Sequence, residues 1–128
     1  MILGAGVDIV EISRFSDSLS PHFMSRVFTD GERDFLQKKG KNSYSSMAGL
    51  FAAKEAVAKA LGTGFLGFWP TDIEILHDRF GKPHVKLHKK AARIAKNLAR
   101  RKRGFKISLS ISHSETCAIA SAILEKSR

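Results

Sequence analysis

Three places in this sequence put ionisable side chains among apolar ones. Asp8 interrupts an aliphatic opening segment. Lys54 and Glu55 stand side by side in an alanine-rich stretch, with Lys54 on its apolar stripe. His113 ends a run in which Ile107, Leu109 and Ile111 alternate with serines. A buried carboxylate is costly unless it is paired or holds a cation. Two hard oxygen donors, Asp8 and Glu55, without a His or Cys cluster, suit Mg²⁺ better than zinc. Each residue also has a plain structural explanation: a turn acceptor for the Asp, surface decoration for the Lys-Glu pair, and a satisfied core residue for the His. Spacing alone does not show that they meet.

The elements that must position them can be read from periodicity. Residues 2–12 alternate as a strand, with Leu3, Ala5, Val7 and Ile9 on one face and Gly4, Gly6, Asp8 and Val10 on the other. Asp8 thus shares its face with two glycines, which leaves room beside the carboxylate. Ser20-Pro21 starts a short helix. Thr29-x-x-Glu32 is a capping box for a second, which Gly40 stops. The strongest helix spans 43–61 and ends at Gly62; Met47, Leu50, Phe51, Val57, Ala58 and Leu61 form its apolar stripe.

A Gly-rich loop, 62–67, leads to a strand at 72–77, a turn at 78–83 and a partner strand at 84–88. A helix over 89–102 turns Ala91, Ile94, Ala95 and Leu98 inward and Lys89, Arg93, Lys96, Arg100 and Arg103 outward. Segments 105–113 and 116–124 form a hairpin. The second of these is apolar on both faces, which predicts a central position. The order of elements gives an α+β fold, a mostly antiparallel sheet packed against helices, in one domain over 1–128.

Composition narrows the class. At 128 residues with 43% hydrophobic side chains, the chain can bury a core but is too short to enclose a cofactor between lobes. One cysteine, Cys117, excludes an internal disulfide or a Cys-rich metal site, and its apolar run predicts a buried, inert thiol. The apolar start is too short for a signal peptide, and no apolar run approaches the roughly 20 residues needed to cross a bilayer. The cytoplasm is the default compartment. Ten of the 22 Lys and Arg residues lie in 86–106, which has no Asp or Glu, so this segment carries the whole net charge of +10. Such a segment calls for an anionic partner or extensive hydration.

Four motifs, in order, carry a resemblance. Gly6-Val7-Asp8-Ile9-Val10-Glu11-Ile12 with Arg14 resembles the first motif of the acyl-carrier-protein synthase type of phosphopantetheinyl transferases. Phe51-Ala52-Ala53-Lys54-Glu55-Ala56-Val57-Ala58-Lys59-Ala60-Leu61-Gly62-Thr63-Gly64 is similar to its second. Gly81-Lys82-Pro83 and Ile111-Ser112-His113-Ser114 are similar to two shorter ones. The resemblance covers essentially the whole chain and implies the phosphopantetheinyl transferase fold.

It further implies transfer of phosphopantetheine from coenzyme A to a serine of an acyl carrier protein, with Asp8 and Glu55 as ligands of Mg²⁺. Phosphoryl transfer needs mainly positioning and charge neutralisation, which a carboxylate-held cation and nearby lysines provide. Glu55, Lys59 and His113 are the implied catalytic residues. Lys54, Lys59, Gly81, Lys82, Pro83 and His113 are the implied contacts to coenzyme A. Arg14 and Arg26 are the implied docking residues for the acidic carrier. Glu55, a water on the metal, or a group on the carrier could each take the serine proton. One position departs from the pattern: Leu50 stands where arginine is frequent in similar sequences, which shifts a phosphate contact elsewhere, for instance to the basic helix. A homotrimer with sites at subunit boundaries is implied as well.

The alternative reading is a small basic nucleic-acid-binding protein, for which the net charge and residues 86–106 speak. No aromatic stacking motif or recognition helix joined to a turn accompanies that charge. An acidic carrier protein and coenzyme A account for it without nucleic acid or a membrane as partner.

Overall fold

The computed structural model describes residues 1–16, 19–100 and 104–127. Its elements are β1 (Ile2–Glu11), α1 (Pro21–Val27), α2 (Asp30–Gln37), α3 (Ser43–Ala60), β2 (Ile73–His77), β3 (Pro83–Leu87), α4 (Lys89–Leu98), β4 (Phe105–His113) and β5 (Cys117–Lys126). Strands β1, β5 and β4 form one antiparallel sheet in that order, and β2 and β3 form a separate hairpin. The doubly apolar β5 is the central strand, as its pattern requires.

Helix α3 is the hub. Ala48, Leu50, Ala52, Ala53, Ala56, Val57, Ala58 and Ala60 are all buried, so the helix is enclosed on nearly every side. Small residues allow its backbone to approach the sheet closely. A Cβ on Gly4 would lie 1.9 Å from the Ala60 carbonyl oxygen, and one on Gly6 would lie 2.0 Å from that of Ala56. The two glycines therefore hold α3 against β1. The room they make is filled by helix backbone, rather than left open beside Asp8. In consequence the Gly4, Gly6, Asp8, Val10 face is the inner one, while Ala5, Val7 and Ile9 face outward.

Local signals set the smaller elements. Ser20 accepts from the Phe23 amide to cap α1, and Pro21 occupies its first turn. The capping box of α2 is complete, with Thr29 and Glu32 each accepting the other's amide. Gly62 and Gly67 turn the loop after α3 through positive φ of 86° and 91°.

Two expectations need correction. Helix α4 ends at Leu98, because Arg100 adopts a left-handed φ of 60° that helical geometry cannot continue. Leu98 is 39% exposed, and Ala99 takes the buried position in its place. Lys102 and Arg103, placed in that helix by periodicity, lie outside the described residues. Cys117 is half-buried rather than buried. Among the described residues no helix is long and apolar enough to cross a membrane.

Candidate active site

Asp8 projects from the inner face of β1 beside α3, with its side chain 18% exposed. Lys59 reaches across to it. Its Nζ donates to the Val7 carbonyl at 2.9 Å and to Asp8 Oδ1 at 3.2 Å, while half of the side chain stays in solvent. Glu55 lies one helical turn before Lys59 on the same face. Burial pushes the Glu55 carboxyl above its ordinary range, and the Asp8 charge pushes it further; Lys59 and Arg14 offset this only in part. The Asp8 charge thus bears on the Glu55 carboxyl beside Lys59, an arrangement that a cation would relieve. Among the described residues no third His, Cys, Asp or Glu joins them.

Arg14 follows in the short turn after β1. Its guanidinium sits 5.4 Å from the centroid of Phe51, which in turn meets Phe15 edge to face. The first motif therefore places Asp8 and Arg14 on the same side of α3 as Glu55. Arg26, on α1, lies 4.8 Å over the ring of Trp69, away from this cluster.

A second group forms around His113 at the end of β4. Its Nε2 lies 3.1 Å from the Ser45 carbonyl, an acceptor, so Nε2 carries the proton and Nδ1 remains for another partner. Gly49 makes this possible: a Cβ there would lie 2.7 Å from His113 Nε2. His113, Gly81 and Pro83 line one cavity of about 230 Å³, with Leu50, His77 and Lys39. Lys82 is exposed on the turn beside it. That turn is tied by Asp78, whose Oδ1 accepts from the Phe80 and Lys82 amides at 2.8 and 2.9 Å, and Gly81 adopts a φ of 84°. The Lys82 and Phe80 amides hold the Asp78 carboxyl below its usual range. His77 stacks flat on Phe35 at 4.1 Å; burial, then the nearby Lys39, lowers its pKa.

The two groups occupy one surface of the main sheet. His113 pairs with Ala118, which pairs with Val10, two residues along β1 from Asp8. Two strand spacings across and two residues along give a separation of roughly 12 Å.

Lys54 belongs to neither group, which corrects its assignment as a coenzyme A contact. It is fully buried and pairs with Glu32 at 2.7 Å, and Glu32 is buried to the same degree. Its ammonium also donates to the carbonyls of Pro70 and Ile73. Glu32 accepts in addition from the Thr29 and Ile75 amides at 2.8 Å each. One carboxylate thus joins α2, α3 and β2. The capping-box spacing marks Glu32 in the sequence, but only as a local helix signal. Gly49 and Lys39 carry no sequence signal that separates them from neighbouring positions.

Comparison with known proteins gives a consistent relationship. Residues 4–119 match the family model described as the 4′-phosphopantetheinyl transferase superfamily. The chain is 46% identical over 127 residues to a holo-[acyl-carrier-protein] synthase of Clostridium perfringens, covering 98% of this chain and 95% of that one. It is 48% identical over 126 residues to the enzyme of the same name from Caldanaerobacter subterraneus, covering 96% and 94%. Among solved structures, it is similar to a holo-(acyl-carrier-protein) synthase of Bacillus anthracis in complex with coenzyme A (3′,5′-ADP). The TM-score is 0.78 at 37% identity, over 100% of this chain and 99% of that one. The holo-ACP synthase of Plasmodium yoelii gives a TM-score of 0.83 at 31% identity, over 100% and 98%.

Proposed function

The chain belongs to the 4′-phosphopantetheinyl transferase superfamily and is an enzyme of the holo-[acyl-carrier-protein] synthase type, and on that premise we propose a reaction for its site. Phosphopantetheine passes from coenzyme A to a serine of apo acyl carrier protein in a Mg²⁺-dependent step that releases adenosine bisphosphate. The observation that carries this reading is the convergence of Asp8, Glu55 and Lys59 beside α3.

The donor set fits the ion. Mg²⁺ keeps several waters and is typically held by one or two carboxylates together with substrate phosphates. Asp8 and Glu55 would hold it, and it would neutralise charge on the diphosphate of coenzyme A and on the departing phosphate. The remaining tasks fall to the chain's own groups. Lys59, half in solvent and anchored by Val7 and Asp8, is available to a phosphate oxygen. The His113 cavity, with Gly81, Lys82 and Pro83 at its turn, takes the adenosine end of coenzyme A. Lys39 at that cavity supplies the charge that arginine at position 50 would bring. The basic face of α4 lines other cavities and is not its substitute.

The chemistry balances as a displacement at phosphorus. The serine oxygen bonds to the phosphorus that bears pantetheine. The bond from that phosphorus to the bridging oxygen breaks, and its electron pair leaves with adenosine bisphosphate. The serine proton goes to a base, for which Glu55, one turn before Lys59 on α3, is the chain's own candidate.

Assembly as a homotrimer is supported by the outer face of the main sheet. Val7, Ile9, Ile119 and Ile123 are exposed there, and Ile9 pairs directly with Ile119 across β1 and β5. An aliphatic sheet face of this kind is covered in most stable proteins. The test of the reaction is metal titration. Transfer should stop in excess chelator and return with added Mg²⁺, whereas full turnover in chelator contradicts the assignment of Asp8 and Glu55.

A further inference from the structure

A cavity of about 790 Å³ lies away from Asp8 and His113, between the loop after α3 and the start of α4. Its floor is aromatic: Phe65 and Phe68 meet edge to face at 5.8 Å, and Trp69 beside them is 58% exposed. Its wall is basic, built from Lys89, Lys90 and Arg93, all exposed. Asp72, itself buried, is the one acid of the lining against these three cations. None of the three cations takes part in an ion pair among the described residues.

These cations are placed against local preference. Lys89 and Lys90 occupy the first turn of α4, where the helix dipole disfavours positive charge. That turn has no acidic residue, and its N-cap, His88, makes no side-chain capping bond. Lys89 also adopts a left-handed φ of 48°, a conformation that persists where surroundings or function require it. Helix formation alone explains none of this, whereas an anionic partner explains the charge, the uncapped amides and the exposed ring together.

The cavity adjoins Arg26, the docking residue that the family resemblance implies. Arg26 of α1 stacks on Trp69, so α1 and the cavity share one ring. The same loop follows the last turn of α3, where the Gly62 amide donates to the Lys59 carbonyl at 2.9 Å. Exposed Trp and Arg side chains flanking a concave apolar floor have the composition of an interface hot spot. A single-stranded nucleic acid fits less well, because Arg26 covers one face of Trp69 and Phe65 and Phe68 are not parallel. Successive bases would find no series of open rings.

We propose that the carrier-protein docking surface extends from α1 across Trp69 to the start of α4, where an acidic helix of the carrier seats an apolar side chain in the aromatic cavity. This inference rests on the transferase reading above and adds residues to it.

Trp69 is the sole tryptophan of the chain, so its fluorescence reports on the cavity directly. Titration with apo acyl carrier protein, without coenzyme A, should shift the emission. The double variant Lys90→Glu/Arg93→Glu should lose that shift. Its KM for carrier protein should rise about tenfold at low salt, as expected when rim charges govern association. The difference should close near 1 M salt, where the screening length falls to about 3 Å. Its kcat and its KM for coenzyme A should stay at wild-type values. Lys90→Ala, a milder change, should show a smaller rise of the same kind. Unchanged carrier KM in both variants, with transfer intact, overturns the docking surface and leaves the reaction standing. Absence of transfer by the wild type removes both. An emission shift with oligonucleotide but not with carrier protein overturns the proposal in favour of nucleic acid.

Discussion

Lys54 and Lys59 lie five residues apart on one helix and serve opposite ends. Lys54 is sealed in the core against Glu32, with every donor directed at α2 or the segment that leads into β2. Lys59 is half exposed and leans on the strand that carries Asp8. Glu55, between them, turns toward Lys59. A rotation of about 100° per residue separates a structural clamp from the edge proposed to be reactive. On a helix enclosed on nearly every side, adjacent charged residues do not share a task, and only the partner across the interface tells them apart.

The largest expected effect lies on the reactive edge. Asp8→Ala or Glu55→Gln should lower kcat by about a thousandfold or more, the scale at which removal of charge stabilisation is felt in transfer reactions. Both variants should remain folded. Glu55→Gln should also melt at a higher temperature than wild type without metal. Its carboxyl has a raised folded pKa, so its ionised form opposes folding at neutral pH, and the amide removes that cost. A lower melting temperature would place Glu55 in a stabilising pair and blur the comparison.

Next comes the clamp. Lys54→Ala leaves the Glu32 carboxylate buried without its partner, which should destabilise the fold by about 3–5 kcal/mol. Activity per folded molecule at low temperature should persist. Replacing both members, Lys54→Met with Glu32→Gln, should recover part of the loss in a denaturant titration. A Lys54→Ala protein of normal stability but with weakened coenzyme A binding would return Lys54 to the cofactor site.

A smaller effect should come from Gly49→Ala. Alanine in a helix interior usually stabilises relative to glycine by about 0.5–1 kcal/mol. Here its Cβ would meet His113 Nε2 at 2.7 Å and push the ring out of place. The variant should keep its fold and raise KM for coenzyme A, with the carrier KM little changed.

The smallest lies at Glu74. Burial alone would raise this carboxyl, but hydrogen bonds from His88 at 3.0 Å and Thr29 at 2.8 Å hold it below its usual range. Its contribution to stability is therefore present above the unfolded carboxylate pKa, about 4.3, and is lost as pH falls through the lower folded value. The stability gap between wild type and Glu74→Gln should be open at neutral pH and close in acid. A gap constant with pH would remove charge from the explanation.

Much of this was legible before the fold was known, for identifiable reasons. A strand apolar on both faces must be central, and β5 is. A long alanine-rich helix stopped by glycine was clear, and its span agrees within a residue. Asp8 and Glu55 were marked by charge amid apolar neighbours, and Lys59 by the motif that carries the resemblance. The fate of Lys54 was hidden, because its partner lies 22 residues earlier and the capping-box spacing already accounted for Glu32 locally. The inward turn of the Gly4 and Gly6 face was hidden too, because it depends on backbone packing rather than side-chain polarity. The early end of α4 rests on one left-handed residue, Arg100, whose identity does not announce it.

The central claim concerns the reactive edge and is met most directly by intact-mass spectrometry of an apo acyl carrier protein. After incubation with this enzyme, coenzyme A and Mg²⁺, the carrier should gain the mass of one phosphopantetheine, matched by an equal amount of adenosine bisphosphate. The gain should vanish with Asp8→Ala and persist with Lys90→Ala at high carrier concentration. A carrier of unchanged mass, or one modified equally well by Asp8→Ala, would contradict the account.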